Sequence, residues 1–359
     1  MAKQFAGNFF EDFSLGQTIE HGTPRTVTSG DTALYVALTG SRHVLHCAAP
    51  VAHALGLRAQ TVDDLLAFHI GFGKTVPDIS LNAVANLGYA DVRFLRPVYV
   101  GDTLRSESTV IGLKENSNGK NGNVYVRSTT LNQYGDEVLS WIRWVMVPKR
   151  DPASPAPPTI LPELPDHVTA TRLPVPEQLN AEGFETALTG SPYLWEDYAV
   201  GERIDHLDGM TVDESDHTLA TKLYQNNARL HFDELMMRSS RFGRRLMYGG
   251  HVISLCRALS YNGLANALTI AAINAGTHCN PAFAGDTFYA YSEVLDKWEL
   301  VARDDLGALR LRTVGVKNLD TRELAAAQVE REGKLVYHEQ VVLDLDYTVL
   351  MPRHGGATP

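Results

Sequence analysis

The chain has 359 residues, of which 44% are hydrophobic and 21% charged, a composition typical of a globular protein with room for two or three domains. Its formal net charge of -10 argues against nucleic acid or an anionic membrane as the main partner. There is no apolar run of about 18 residues for a membrane-spanning helix, and the N-terminal residues lack the apolar core of a signal peptide. The three cysteines have no CxxC spacing, which suits a reducing compartment. We therefore predict a cytoplasmic protein without a nucleic-acid or membrane partner.

An internal repeat organises the sequence. The segment "FFEDFSLGQTIEH" (9–21) matches "YLWEDYAVGERIDH" (193–206) at a constant offset of 185, and the same offset places His46 on His231. Further on, "PVYVGDTL" matches "PAFAGDTF" at an offset of 184. Matches that keep one register over so many residues indicate two copies of one domain.

The first copy covers residues 1–150. A lead-in with glycine and acidic residues precedes a helical segment that ends near His46. The apolar segment "FHIGFGKTVPDISLNAVANLG" (68–88) predicts a longer helix. After it, "NVYVRSTTL" and "EVLSWIRWVMV" flank the turn "NQYGD", the pattern of a β-hairpin.

Residues 151–190 join the copies and contain prolines 152, 155, 157, 158, 162 and 165. This density predicts an extended, semi-rigid connector. In the second copy (191–359), "GHVISLCRALSYNGLANALTIAAI" (250–273) predicts the long helix, and "TFYAYSEVL", "ALRLRTVGV" and "QVVLDLDYTVL" predict strands. One long helix followed by antiparallel strands in each copy indicates an α+β fold with the sheet wrapped on the helix.

The two copies differ where a site is expected. The second copy reads "YQNNARLHFDEL" where the first reads "TGSRHVLHCAAP", and only a leucine and the histidine coincide. Gly249 and Gly250 precede the second long helix, where bare N–H groups at the positive end of the helix dipole would form an oxyanion hole. The first copy has the bulky Phe68 before His69 instead. The second copy is therefore predicted to carry the chemistry.

These features resemble a known family. His231, the following "FGRRLMYGG" and the "PAFAGDT" turn resemble the MaoC-like (R)-specific enoyl-CoA hydratases, which are hotdog folds, and the duplication resembles their double-hotdog members. The segments "FGKTVPDISLNAVANLGYA", "ENSNGK" and "RFGRRLMYGGHVISL" resemble the mesaconyl-CoA (2-methylfumaryl-CoA) hydratases. The resemblance implies a tandem hotdog and a hydro-lyase of the ethylmalonyl-CoA pathway. Such an enzyme reversibly hydrates mesaconyl-CoA to β-methylmalyl-CoA without a metal or redox cofactor, CoA being part of the substrate.

The resemblance also assigns catalytic positions, with departures. The family's catalytic Asp falls on Asn226, its His on His231 and a trailing acid on Asp233, whereas the first copy has Ser41 and His46. An asparagine cannot accept a proton but can hold water. His231 is therefore the candidate base and Asn226 the candidate water holder, and one base serving both proton transfers implies syn addition. Asp233 is the third catalytic candidate.

Binding roles follow from the same register. Arg229 and Arg245 stand where the family commonly has proline, and a guanidinium fork suits an acyl group that ends in a carboxylate. Backbone N–H groups near Gly250 and His251 would receive the thioester oxygen. The predicted substrate-binding residues are Arg229, Arg245, Tyr248, Gly249, Gly250 and His251.

Alternatives stay open at this point. Arg229 and Arg245 could each be a solvated surface charge, and Asp233 could be an acidic residue on a helix surface. His231 could be a core histidine hydrogen-bonded to a backbone carbonyl. His46 could be a structural residue or the remnant of a lost site. His43 and His46 lack a third ligand at metal-binding spacing, so no metal site is predicted. The protein could instead hydrate another short acyl-CoA, hydrolyse a thioester through Asp233, or bind acyl-CoA without turnover. The first copy is expected to form the opposite wall of an acyl-CoA channel, and homo-oligomerisation is left open.

Overall fold

The computed structural model describes residues 3–355. Two helices, one in each half, are the longest buried ones and lie at the centre of the fold. The α-helices are α1 (Ser29–Thr39), α2 (Val44–Cys47), α3 (Ala49–Ala54), α4 (Asp64–Thr75), α5 (Glu214–Leu223), α6 (Glu234–Met237), α7 (Gly249–Leu259) and α8 (Tyr261–Leu264).

Local chemistry explains where the helices begin and end. The Asp63 carboxylate accepts the Leu65 N–H at 3.0 Å and so caps the start of α4. Thr28 and Asp31 cap α1 reciprocally, and Gly40 ends it in the left-handed conformation at φ 68°. In both α4 and α7 nearly every side chain is buried, as expected for helices covered on all sides.

The strands form one large antiparallel sheet and a small hairpin (β11–β12). They are β1 (Thr18–Glu20), β2 (Arg25–Thr26), β3 (Ala85–Phe94), β4 (Thr103–Glu115), β5 (Asn121–Leu131), β6 (Glu137–Pro148), β7 (Arg203–Thr211), β8 (Thr269–His278), β9 (Thr287–Leu300), β10 (Arg303–Lys317), β11 (Gln328–Arg331), β12 (Lys334–Tyr337) and β13 (Val341–Pro352).

The strand order of the large sheet reveals the duplication. The order is β1-β4-β5-β6-β3-β8-β13-β10-β9-β7, which reads as two equivalent halves joined between β3 and β8. At the junction Ala90 pairs with Ala275 and Val92 with Ile273, antiparallel. Each half has a central helix wrapped by antiparallel strands, so the predicted tandem hotdog is confirmed.

The predicted long helices are wrong in their C-terminal parts. In the first half, α4 ends at Thr75, a π-helical turn covers Val76–Ser80, and the residues from Ala85 form β3. Pro77 in that turn has no N–H to continue an α-helix. In the second half, Gly263 at φ 115° ends the helical region, and β8 begins at Thr269.

The connector, residues 151–190, contains no α-helix, only short 3₁₀ turns at Ala170–Arg172 and Thr186–Leu188, and is packed against both halves. Its Ile160 forms a bridge to Leu113 of β4. Val168, Leu173 and Leu179 are buried in a hydrophobic cluster with α2 and α3. The connector therefore fixes part of the first half's surface. Within the described residues, no helix has both the length and the apolarity to cross a membrane.

Candidate active site

A cavity of about 330 Å³ lies where the two halves meet. Its lining includes residues of both halves, so neither hotdog forms it alone. The polar residues discussed below that line it are Asn86, Tyr89, Arg143, Asn226, His231, Tyr248 and His278.

His231 is held in a defined orientation at the cavity wall. It ends a 3₁₀ turn (Arg229–His231), and its Nδ1 lies 2.9 Å from the carbonyl oxygen of Leu246. Because a carbonyl only accepts hydrogen bonds, Nδ1 carries the proton and Nε2 keeps its lone pair. The Leu246 N–H in turn donates to the Leu230 carbonyl at 3.1 Å, which ties the two segments together.

The electrostatic surroundings keep His231 neutral. The side chain is only 8% exposed. Burial, helped by the nearby imidazoles of His217 and His278, lowers the pKa of His231 to about 4, although the Leu246 carbonyl acts in the opposite direction. At neutral pH the imidazole is therefore an unprotonated base with one free nitrogen.

Asn226 lies in the turn that precedes His231 and also lines the cavity. Its Oδ1 accepts the Ala228 N–H at 3.0 Å, and its own N–H donates to the Thr221 carbonyl at 3.2 Å. Oδ1 is therefore committed to the turn. The Nδ2 amide is the end of the side chain that can donate to a ligand.

The N-terminus of α7 reaches the cavity through Tyr248 and Gly249. A Cβ on Gly249 would lie 2.5 Å from the His278 ring, so only glycine permits this close approach. The Gly249 N–H is at the positive end of the helix dipole, which favours negative charge on an oxygen bound there.

Gly250 and His251 lie behind this rim and do not line the cavity. The His251 N–H donates to the Tyr248 carbonyl at 2.9 Å, so it is not free for a thioester oxygen. The His251 ring is buried in the core, 3.1 Å from the Tyr224 hydroxyl. The structure therefore moves the candidate oxyanion donor from Gly250 and His251 to Gly249.

Three other residues predicted from sequence also lie outside the cavity. Arg229 is exposed and donates to Asn82 at 3.4 Å. Arg245 forms ion pairs with Glu214 at 2.6 Å and Glu234 at 3.4 Å. Asp233 is exposed, and its carboxylate caps α6 by accepting the Met236 N–H at 2.9 Å. The structure thus gives Arg245 and Asp233 stabilising contacts away from His231.

The first half has an equivalent pocket of only about 20 Å³. Asp64 at the start of α4, and not Phe68 as the sequence suggested, takes the place of Gly249 there. Phe94 takes the place of His278. Connector residues Pro174 and Leu179 complete its lining and close it.

His46, the counterpart of His231, is held within the wall of this closed pocket. Its Nδ1 lies 2.8 Å from Thr61 Oγ1 and its Nε2 3.6 Å from an Asp64 oxygen. Burial opposes protonation of His46, but Asp63 and Asp64 prevail and raise its pKa. The surroundings of His46 therefore favour its protonated form, whereas those of His231 favour the neutral form.

Sequence reasoning missed Tyr89, Arg143 and His278. His278 Nε2 lies 3.2 Å from the Tyr89 hydroxyl, across the junction between the halves. One signal was available: at an offset of 184, His278 replaces Phe94 of the first copy. A histidine in place of a core phenylalanine indicates a polar environment in one copy only.

The similarity of the chain to known proteins agrees with this geometry. The family model described as "Mesaconyl-CoA hydratase" matches residues 2–323. The chain is 58% identical over 354 residues to β-methylmalyl-CoA dehydratase of Chloroflexus aurantiacus, covering 99% of each chain. It is also 58% identical over 351 residues to mesaconyl-CoA hydratase of Cereibacter sphaeroides, covering 98% of this chain and 100% of the relative.

A solved structure extends this similarity to three dimensions. The crystal structure of a putative MaoC domain protein dehydratase from Chloroflexus aurantiacus matches with a TM-score of 0.95 at 58% identity. The match covers 99% of this chain and 100% of that one. The chain belongs to the mesaconyl-CoA hydratase family.

Proposed function

We propose that the protein reversibly adds water across the double bond of mesaconyl-CoA to give β-methylmalyl-CoA, and is thus a hydro-lyase. The observation that carries the proposal is the neutral His231, fixed by Leu246 with Nε2 unprotonated, in a cavity shared by both halves. The relatives are named for the two directions of one reaction, hydration and dehydration.

The chemistry needs a base for water, a proton for Cα and stabilisation of an enolate-like oxygen. His231 Nε2 takes a proton from the water as its oxygen bonds to Cβ. The Asn226 amide holds that water. The protonated His231 then returns a proton to Cα, and because one imidazole serves both steps the addition is syn.

The thioester oxygen gains negative charge as the water attacks. The Gly249 N–H at the start of α7 is placed to donate to it, and the helix dipole favours charge at that end. Hydration leaves the overall oxidation level of the substrate unchanged, so we infer that no redox cofactor is required. His231 generates the nucleophile in place of a metal ion.

The two halves then have different tasks. Residues 191–359 supply the base, the water holder and the oxyanion donor. Residues 1–150 supply the opposite wall, through Asn86, Tyr89 and Arg143. We further propose that the enzyme acts in the ethylmalonyl-CoA pathway in the cytoplasm, because its substrate and product are CoA thioesters and its composition fits that compartment.

An assay with purified protein and mesaconyl-CoA tests the proposal. We expect the enoyl-thioester absorbance to fall without release of free CoA thiol, and the product mass to increase by one water. Thiol release would instead identify a thioesterase. Binding without turnover would identify an acyl-CoA binder, and much faster turnover of crotonyl-CoA would identify another enoyl-CoA hydratase.

The pH profile of kcat/KM should report the buried His231. Because the pKa of His231 is lowered to about 4, the base stays neutral as the pH is lowered from 8 to about 5. The value of kcat/KM should therefore stay level over that range. Below about pH 4 the rate should fall about tenfold per unit as Nε2 becomes protonated. An acid limb centred near the ordinary histidine pKa of about 6.5 would contradict the assignment.

Folding must be monitored in the same experiment. The unfolded chain binds a proton to this histidine below about pH 6.5, whereas the folded protein does not, so stability falls as the pH drops from there towards the folded pKa. Circular dichroism at each pH separates this loss of structure from titration of the base.

A further inference from the structure

Arg143 is fully buried near the middle of β6, on the first half's side of the cavity. Its Nη2 donates to Thr75 Oγ1 at 2.8 Å and its Nη1 to Ser80 Oγ at 3.3 Å. The guanidinium lies over the Phe72 ring, 4.2 Å from its centroid. These contacts fix the plane of the guanidinium and use only two of its five N–H donors.

Arg143 lacks the anionic partner that a buried cation requires. Both of its hydrogen-bond acceptors are neutral hydroxyls, and across residues 3–355 no carboxylate lies within ion-pair distance of it. Arginines elsewhere in the sheet are paired: Arg310 contacts Asp346 at 2.5 Å and Arg312 contacts Asp344 at 2.7 Å. An unpaired buried charge is costly, so a fold that keeps one has a use for it.

The charge persists under physiological conditions. Burial lowers the pKa of Arg143 to about 10, partly offset by the nearby Tyr89 and Tyr248 hydroxyls. The guanidinium therefore remains protonated at neutral pH.

Other polar groups around the same cavity are also unsatisfied. The Tyr248 hydroxyl, both amide atoms of Asn86, His278 Nδ1 and Arg143 Nε have no hydrogen-bond partner. No Asp or Glu is found among the described residues that line the cavity. Arg241 also lines the cavity, but it is exposed, so Arg143 is the buried cation of the lining. Buried polar groups normally find partners, and a buried cation without a carboxylate calls for an anionic oxygen ligand.

We propose that Arg143 binds the free carboxylate of the acyl group and selects dicarboxylic acyl-CoA thioesters over monocarboxylic ones. The inference rests on the proposed hydratase function and deepens it by naming the specificity residue. The acyl group spans the junction, with its carboxylate on Arg143 of the first half and its double bond at His231 of the second. Arg143 thus takes the role that the sequence suggested for Arg229 and Arg245.

Binding of succinyl-CoA and butyryl-CoA, measured by calorimetry, tests the proposal without turnover. The two ligands have acyl chains of equal length and differ in the terminal carboxylate. The native protein should bind succinyl-CoA about 30-fold more tightly, the effect of one charge-assisted contact. Arg143→Met should reduce this preference to within about threefold, with butyryl-CoA binding little changed.

Two further variants make the result decisive. Arg143→Lys keeps the buried cation but not the fork, and should retain only part of the preference. Arg127→Met is the matched control on the adjacent strand β5: its side chain is 42% exposed and outside the cavity, so the preference should be unchanged. Thermal unfolding followed by circular dichroism establishes that each variant is folded.

The proposal is overturned if the native protein shows no preference, or if the preference survives in Arg143→Met. It is also overturned if folded Arg143→Met loses affinity for butyryl-CoA as much as for succinyl-CoA. Should Arg143→Met not fold, an undiminished preference in Arg143→Lys would overturn it. If Arg143→Met loses the preference but the native protein does not hydrate mesaconyl-CoA, Arg143 binds the carboxylate and the proposed reaction is wrong. The failure of one proposal is therefore distinguishable from the failure of the other.

Discussion

Replacing His231 by glutamine is expected to lower kcat for hydration of mesaconyl-CoA by a factor of about 10³, within the range for loss of a general base. Glutamine can still form a hydrogen bond near the Leu246 carbonyl but cannot take a proton from water. Steady-state kinetics measure the effect. KM should change little, because the binding wall, including Arg143, is untouched.

The matched control is His46→Gln, the same substitution at the equivalent position of the first half. The pocket beside His46, lined by its neighbours Leu45, Thr61 and Asp64, measures only about 20 Å³ and has no room for an acyl group. The kcat of His46→Gln should stay within about threefold of the native value. The thermal stability of this variant should fall, because the contacts of His46 with Thr61 and Asp64 are lost. If His231→Gln retained native kcat in a folded protein, the base would have to be another residue.

Substitution of Asn226 by aspartate separates two roles for that position. Aspartate preserves the oxygen that accepts the Ala228 N–H, so the turn before His231 should persist. It removes the Nδ2 donor and adds a negative charge near the developing enolate. We therefore expect kcat to fall by about 100-fold at neutral pH, the size of effect seen when one positioned donor is lost.

The neighbouring Asn227, which is exposed, offers the control. Asn227→Asp introduces the same charge one residue away and should leave kcat within about twofold, as is usual for a surface change. Kinetics with mesaconyl-CoA and thermal unfolding of both variants test the prediction. An Asn226→Asp variant as fast as the native protein would show that a carboxylate serves here and that the amide is not the water holder.

The duplicated fold could be predicted from the sequence because its evidence is repetitive and local. The paired segments keep an offset of 185 or 184 over many residues, and the hairpin of β5 and β6 has a clear turn between its strands. Strands β3 and β8 could not be separated from the preceding helices. The segment "ANALTIAAI" before and within β8 is mostly apolar, and periodicity does not distinguish a buried strand from a buried helix. Their strand character depends on mutual pairing across the molecule.

The candidate site was predictable only in part, for a related reason. Asn226, His231, Tyr248 and Gly249 lie within one short stretch of the chain, so the family resemblance brought them together. Arg143 comes from a distant strand of the other half, and its importance depends on the absence of a carboxylate nearby, which no local pattern contains.

The local pattern also assigned polar residues to the site that have other partners. Arg245 is paired with Glu214, which is 31 residues earlier in the chain. Asp233 is used by the short helix that follows it. A dense polar cluster in a sequence therefore shows roughly where a site lies, but does not show which of the clustered residues act in it.

The closure of the first pocket by the connector has an evolutionary consequence. In a homodimer of single hotdogs every substitution appears twice, so a charge that improves one catalytic centre also alters its twin. Here Pro174 and Leu179 occupy the redundant centre, and the two halves are encoded separately. A buried arginine on one side and a neutral histidine on the other can then coexist without their mirror copies. Two different halves in one chain can therefore match an asymmetric substrate, with a thioester at one end and a carboxylate at the other, as two identical halves could not.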